Sequence, residues 1–421
     1  MIKFLKNVCS LIHVSWDILY EVGKYYIYGD LNTFVESLAH KLCQKNILYI
    51  KIFQACALNN NIFADEINNK LIKFTDNAPW TESDIDLETL TKFETYSDIQ
   101  IKNKVPMKSG MISLIFHGIS NKTQEEFIIK LKRKNIEEKL GDGIDKLLFV
   151  LTIVDWIPFI NNYDLPAIIH KNIDLIKLQT NFPDEVRHIQ RFTKLCEKLN
   201  YIKIPVVYEE QTTAFPNLIL MEYIKGNTIY AVDPTEYELY AKQLMKFVFI
   251  TTFLNGVTHG DLHIGNLLFL SGKLCILDFG IIYEFNETRN ALFDIFTDLC
   301  SSPAETIAQK ILYSGLIEPL AVIQALPAEH SCEMLNIIAT FVNNTIHVDK
   351  RLHQINIYKF LMDLNNYINS TQIQALKLKA SAELVKIQIV FGMLHGVILT
   401  LCGDNYIEVA DRVMSETFHL L

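Results

Sequence analysis

Asp261, Asn266 and Asp278 lie within residues 257–280, and their order and spacing suit phosphoryl transfer from a nucleotide. Asp261 and Asn266 share one short loop, so a carboxylate can face an acceptor hydroxyl while an amide oxygen reaches a magnesium ion. Asp278 opens the triplet Asp278-Phe279-Gly280. Between loop and triplet stand two apolar runs, 267–270 and 274–277, joined by Ser271-Gly272-Lys273, which read as a hairpin. A hairpin returns Asp278 beside Asn266, and two hard oxygen ligands then converge on magnesium, which completes its shell with water and phosphate oxygens. Asp-Phe-Gly alone is a common turn and His-Gly-Asp a common loop. The signal is in their ordered pairing.

Such a loop needs elements that hold a nucleotide against it. Residues 111–116 and 127–132 read as strands, with Gly118, Ser120 and Asn121 in the turn between them. Lys130 closes the second strand, where it can neutralise phosphate charge or simply reach solvent along an apolar stem. Before the first strand, residues 106–110 include Lys108, Ser109 and Gly110, small and flexible enough to lay backbone N–H groups over phosphates. A helix over 182–199 carries Glu185, a candidate ion-pair partner for Lys130 and equally a candidate first-turn acid favoured by the helix dipole. Residues 203–208 and 218–223 read as further strands, and Met221, Glu222, Tyr223 and Ile224 form a hinge whose backbone can meet an adenine edge. From Pro234 onward helix dominates: one long helix over 235–255, and a helical remainder after Asn286 broken at Pro303, Pro319 and Pro327.

Residues 1 to about 100 read as helices. Val8, Leu11, Ile12, Ile18, Leu19 and Val22 form an apolar stripe suited to packing on the protein or to lying on a membrane. A second helical stretch over 31–58 places Lys51 and Gln54 three apart on one face.

The chain has 421 residues, half of them hydrophobic, and a formal charge of −9. That length suits two or three packed units, and the acidic balance argues against nucleic acid as a general partner. Eight cysteines without CxxC spacing suit buried free thiols rather than zinc. Charged residues interrupt the N-terminal apolar run, so no signal peptide is expected. Residues 384–401 read as a core helix rather than a membrane span. The expected location is cytoplasmic or peripheral to a membrane.

The sequence His259-Gly260-Asp261-Leu262-His263-Ile264-Gly265-Asn266 resembles the catalytic loop of the UbiB family, the AarF-domain atypical kinases, with Ile264 where proline is usual. Residues 49–54 resemble its lysine-x-glycine-glutamine signature, 106–113 its alanine-rich loop, Glu185 its lysine-pairing glutamate, and 220–226 its hinge. The resemblance implies an α+β, two-lobed protein-kinase-like fold with a β-rich N-lobe over 104–224, a helical C-lobe over 225–421 and a helical extension over 1–103. It implies ATP and Mg2+ as cofactors, kinase or ATPase activity, a link to prenyl-lipid or quinone metabolism and a lipid surface as partner. Lys51 and Gln54 would then be regulatory. Phe53 departs from the signature's glycine, and the family's acidic motif falls on Gln179 and Asn181. Lys108 brings a charge where small apolar residues are usual, either as a phosphate contact or as a side chain in water. Two other readings share these motifs: a small-molecule phosphotransferase resembling aminoglycoside and choline kinases, and a non-catalytic scaffold that uses ATP as a conformational ligand.

Overall fold

The computed structural model describes residues 2–50, 78–154, 173, 176–285, 288–298, 302–344, 379–403, 409, 412–413 and 416. Lys51, Phe53 and Gln54 lie outside the described residues. The chain divides into two units, Met1–Gln190 with Pro205–Ile224, and Arg191–Ile204 with Lys225–Leu421.

In the first unit, helices α1 (Ile2–Tyr28) and α2 (Leu31–Lys45) are joined by Gly29 and Asp30. Gly29 takes φ 70°, open to a residue without Cβ, and Asp30 caps α2 by accepting from the N–H groups of Asn32 and Thr33. The helix expected over 31–58 is broken at Asn46 and Ile47, and residues 48–50 are helical again. Asn46 ends α2, its Oδ1 accepting from Leu48 N at 3.0 Å and its Nδ2 donating to the Gly143 carbonyl at 3.0 Å. The α1 stripe packs only in part: Ile12 and Leu19 are 60% and 66% exposed.

Helix α3 (Leu87–Tyr96) leads into an antiparallel sheet of β1 (Ile99–Ile101), β2 (Lys108–Ser109), β3 (Ser113–Ser120), β4 (Glu126–Lys132) and β6 (Leu218–Glu222), in the order β1-β3-β4-β6 with β2 also on β3. Helices α4 (Ile136–Val154), α5 (Phe182–Leu195) and α6 (Glu209–Ala214) complete the elements that begin in this unit, and the intervening β5 (Ile202–Lys203) belongs to the second. Alternation along β4 sends Phe127, Ile129 and Leu131 into one apolar cluster with Leu114, Phe116, Leu218 and Leu220. Lys130 lies opposite Ile219, whose side chain joins a second cluster that includes Phe182 and Val186 of α5.

The sequence misplaces one turn. Gly118 and Ser120 lie inside β3, which starts at Ser113 and runs through to the turn after Ser120. Gly118 is there for space: a Cβ would sit 2.7 Å from Ile99 Cγ2 and 3.0 Å from Ile129 Cδ1. The strand expected over 203–208 shrinks to β5, leaving Val207 as an isolated bridge to Met221.

In the second unit, α7 (Tyr237–Phe249) ends in a π-helical turn, Ile250–Leu254, so the expected helix over 235–255 changes hydrogen-bonding register before the loop that follows. Strand β7 (Val257–His259) comes next, and then the hairpin β8 (Leu267–Leu270) and β9 (Lys273–Ile276), with β5 parallel to β9. Strand β10 (Ile282–Glu284) returns antiparallel to β7. Pro303, Pro319 and Pro327 stand immediately before α9 (Ala304–Tyr313), α10 (Leu320–Gln324) and α11 (Ala328–Val342), after α8 (Arg289–Asp298). A ribbon of β11 (Ile317–Glu318) and β12 (Lys379–Ala380) interrupts the helices where none was expected. Helix α12 (Ala382–Cys402) is, among the described residues, the one helix long and apolar enough to cross a membrane. Leu384, Ile387, Val390, Leu394 and Ile398 are buried, and Phe391 stacks on Phe249 of α7 at 6.1 Å. Of the described cysteines Cys43, Cys196 and Cys275 are buried, whereas Cys9 and Cys332 are exposed, which the reading of buried thiols did not allow for.

Replacing Gly118 by Ala should destabilise the protein by about 1–3 kcal/mol through overpacking. Urea unfolding measures the loss, and a second change, Ile99→Ala, should recover part of it. Additive losses in the double variant would show that the Ile99 side chain is not the obstacle.

Candidate active site

Each unit contributes one group of the expected site residues. In the first, β4 and α5 bring Lys130 Nζ within 2.6 Å of Glu185 Oε1. The residues are 6% and 2% exposed, so both charges are largely out of water and depend on each other. Phe182, one turn before Glu185 on α5, places its ring 5.7 Å from Lys130 Nζ and 5.5 Å from Lys132 Nζ. Glu185 is therefore a buried ion-pair partner and not a solvated first-turn acid.

Lys108 pairs with Ile115, and Ile115 pairs with Lys130 on its other side. Directly opposed residues share a face, so Lys108 and Lys130 lie in one row, two strand spacings or about 10 Å apart. Lys108 is exposed. Ser109 is buried instead, and its hydroxyl donates to the Ala78 carbonyl. The Gly110 N–H donates to Ser113 O at 2.8 Å.

The outer edge of β6 is covered as far as Glu222. Tyr208 N donates to Leu220 O at 2.9 Å, Glu222 N to Val206 O at 2.8 Å, and Val206 N to Glu222 Oε2 at 3.1 Å. Met221 packs against the cluster that holds Ile219 and Phe182. Tyr223 and Ile224 follow the covered edge, the Tyr223 ring 4.6 Å from that of His117. Asn181 carries no acid but caps α5, its Oδ1 accepting from Asp184 N at 3.4 Å and its Nδ2 donating to Asp184 Oδ2 at 2.6 Å, while the Gln179 side-chain oxygen is buried without a hydrogen-bond partner.

In the second unit the hairpin does what its sequence requires. Leu267 pairs with Ile276, and Leu277 N donates to Asn266 O at 2.8 Å, which places Asp278 next to the 261–266 loop. Asn266 Nδ2 donates to the Asp261 carbonyl at 2.8 Å, leaving the amide oxygen as its acceptor end. Asp278 takes φ 55°, sparsely populated for a residue with a Cβ, and its Oδ1 accepts from Gly280 N at 3.2 Å. One carboxylate and one amide oxygen, positioned by this backbone, fit a hard cation that draws its remaining ligands from phosphate and water. Among the described residues no group of three or more His, Cys, Asp or Glu is arranged to hold a metal by itself.

His259 locks the loop, a role its sequence context did not suggest. It is fully buried, its Nδ1 accepts from Asp261 N at 3.1 Å, and the proton is thereby assigned to Nε2, which donates to Leu277 O at 3.2 Å. One imidazole thus ties the residue before Asp278 to the backbone of Asp261. Burial holds His259 below the usual histidine range, against the opposing charge of Asp261. Phe279 is fully buried, edge-on to His259 at 4.9 Å and 4.9 Å from Phe192. Gly260 cannot be larger, since a Cβ would lie 2.4 Å from Ile281 Cγ2.

Residues 91–311 match the model of the ABC1 atypical kinase-like domain. A probable protein kinase UbiB from a Shewanella species is 24% identical over 308 residues, covering 66% of this chain and 53% of the relative. A probable serine/threonine-protein kinase from Dictyostelium discoideum is 25% identical over 342 residues, 72% of this chain and 49% of the relative. The Mycobacterium tuberculosis protein Rv3197, solved with erythromycin, aligns over 86% of this chain and 90% of its own at 15% identity and a TM-score of 0.49. The chain spans about half the length of the curated relatives it matches. The matched span holds Lys130 and Glu185 as well as Asp261, Asn266 and Asp278, and the chain belongs to the ABC1 atypical kinase-like family, with its two-lobed α+β kinase-like fold.

Proposed function

We propose that the chain binds ATP with Mg2+ and transfers the γ-phosphate to a hydroxyl or to water. The observation that carries this reading is the buried pair of Lys130 and Glu185 at 2.6 Å. A buried ion pair is a weak source of stability, since apolar residues of similar volume often serve as well. It is a good way to hold an ammonium group ready for phosphate charge. In this reading Lys130 neutralises the α- and β-phosphates, Glu185 positions Lys130, and exposed Lys108 in the same row adds a further phosphate contact. Tyr223 and Ile224, beyond the covered edge of β6, meet the adenine. Asp261 orients the attacking hydroxyl or water and accepts its proton. Asn266 and Asp278 hold the metal, which when bound supplies Lewis-acid neutralisation of the phosphate oxygens.

A lipid surface is the second element of the proposal, and α1 favours it. Leu5, Ile12, Trp16, Leu19 and Tyr26 lie along one side and are exposed, Trp16 at 68%. The helix's acids turn the other way: Asp17 pairs with Lys45, and Glu21 pairs with Lys41 at 2.6 Å. Lys6 and Lys24 remain exposed. An apolar, aromatic stripe edged by lysines suits an anionic bilayer interface.

Three outcomes are expected. With γ-labelled ATP and magnesium, label should leave ATP in the wild type and stay on it in Asp278→Asn, while Glu185→Gln should lose at least ten-fold in turnover. Label transferred to a small alcohol would favour the reading that resembles aminoglycoside and choline kinases, and saturable binding without turnover would favour a scaffold. His259 binds a proton more readily when unfolded, so its contribution to stability is intact above pH about 6.5 and falls as pH drops below it, by at most about 1.4 kcal/mol per pH unit. His259→Asn should flatten urea-measured stability between pH 7.5 and 5.5, and an unchanged slope would remove His259 as the cause. Flotation with phosphatidylcholine/phosphatidylglycerol vesicles should carry the wild type but not the Trp16→Glu, Leu19→Glu double variant; equal behaviour of the two rejects α1 as the contact.

A further inference from the structure

Arg133 follows β4 and is 3% exposed, a buried charge that the roles above do not use. Its guanidinium spends two N–H groups on one acceptor: Nε and Nη2 donate to the Gly110 carbonyl at 3.0 and 2.8 Å. Nη1 donates to the Pro79 carbonyl at 3.0 Å and to Asp84 Oδ2 at 3.0 Å. Asp84 also pairs with Lys139 and accepts from Thr81 N at 2.9 Å. Ala78 N donates to Ser109 O at 2.7 Å, the Ser109 hydroxyl donates back to Ala78 O, and Arg133 N donates to Ile112 O at 2.9 Å. The turn between β2 and β3 is thus tied on one side to residues 78–84 and on the other to the residue three beyond Lys130.

We propose that Arg133 is a positioning residue that orients the Gly110–Met111 peptide so that its N–H can meet a phosphate oxygen of the bound nucleotide. The proposal rests on the nucleotide reading above. The peptide is planar and trans, so its N–H points opposite its C=O. Two donors on the Gly110 carbonyl therefore fix the direction of the Met111 N–H as well. Gly110 needs this help, because glycine gives the turn no conformational preference of its own. Lys108 on the strand before the turn and Lys130 on β4 share one face, so an oriented N–H in the same turn adds a directional donor to two point charges. Asp84 holds the guanidinium from the opposite end, and Lys139 shares the charge of Asp84.

Arg133→Lys keeps a cation beside Asp84 and cannot donate two parallel bonds to the Gly110 carbonyl. The expected result is about a ten-fold weaker Kd for a non-hydrolysable ATP analogue with magnesium, together with faster hydrogen exchange across residues 109–112. Lys139→Gln serves as the structural control: it weakens the ion cluster at Asp84 without removing a partner of Arg133, should lower Tm, and should leave nucleotide affinity within two-fold. In the wild type, saturating analogue should slow exchange at Met111, a measurement that needs no variant to fold. Wild-type affinity in folded Arg133→Lys, equal losses of affinity in the two variants, or unprotected Met111 in a saturated complex would each overturn the proposal while leaving the nucleotide reading intact. No nucleotide binding by the wild type overturns both.

Discussion

Two opposite charges taken out of water set the terms for the first unit. Lys130 and Glu185 are far apart in sequence, yet both are almost wholly out of water and lie 2.6 Å apart. Losing one partner of such a pair leaves a bare buried charge, at a cost of about 3–5 kcal/mol. The geometry of β4 against α5 is therefore constrained to side-chain reach. Phe182 and Val186 of α5, with Ile219 beside Lys130 on the sheet, supply the apolar packing that holds that distance. Arg133 extends the same arrangement past the end of β4: with Lys130 anchored on the helix, the next buried cation anchors the turn between β2 and β3.

The second unit solves a different problem. Asp261 and Asp278 stand on irregular backbone and Asn266 on a single 3-10 turn, Ile264–Asn266, with no strand ladder to keep them in place. A buried neutral imidazole and a short hairpin replace that ladder. His259 bridges the Asp261 N–H and the Leu277 carbonyl, while Leu277 N–H returns to Asn266 O. Apolar packing of Phe279 closes the arrangement, and Asp278 is held in a left-handed conformation that only a rigid surrounding would maintain. A pre-set carboxylate loses little entropy on meeting a cation, which is the physical return on the backbone strain.

Much of this was legible in the residues. The spacing of Asp261, Asn266 and Asp278, two apolar runs and a Ser-Gly turn suffice for loop, hairpin and triplet, because hairpin pairing is local and Gly272 at φ 72° meets the turn's demand. Lys130 and Glu185 could be nominated from a strand and a helix as candidate partners, with a solvated first-turn acid as the other reading of Glu185. The errors fall where long-range packing overrides local signals. Gly118 reads as a turn residue and is in fact a strand residue that makes room for Ile99. The stripe on α1, suited by sequence to packing on the protein or to a membrane, packs only in part. Asn46 reads as a helix interior and ends the helix by bonding to Gly143, far along the chain.

The residues and their spacing carry the chemical inventory and its local order: which side chains have the chemistry for a phosphate or a hard cation, and which sit within one loop or hairpin of each other. These follow from short-range backbone geometry, where spacing in the chain is nearly spacing in space. Which charges are buried, and with whom, is set by packing across the fold. It made Glu185 the partner of Lys130, turned Asp17 and Glu21 inward and Trp16 outward, and withdrew Arg133 from solvent to hold Gly110. The reason is that burial belongs to the packed whole: the same lysine, glutamate or arginine is a solvated surface charge or a fixed structural one according to what the rest of the chain places around it.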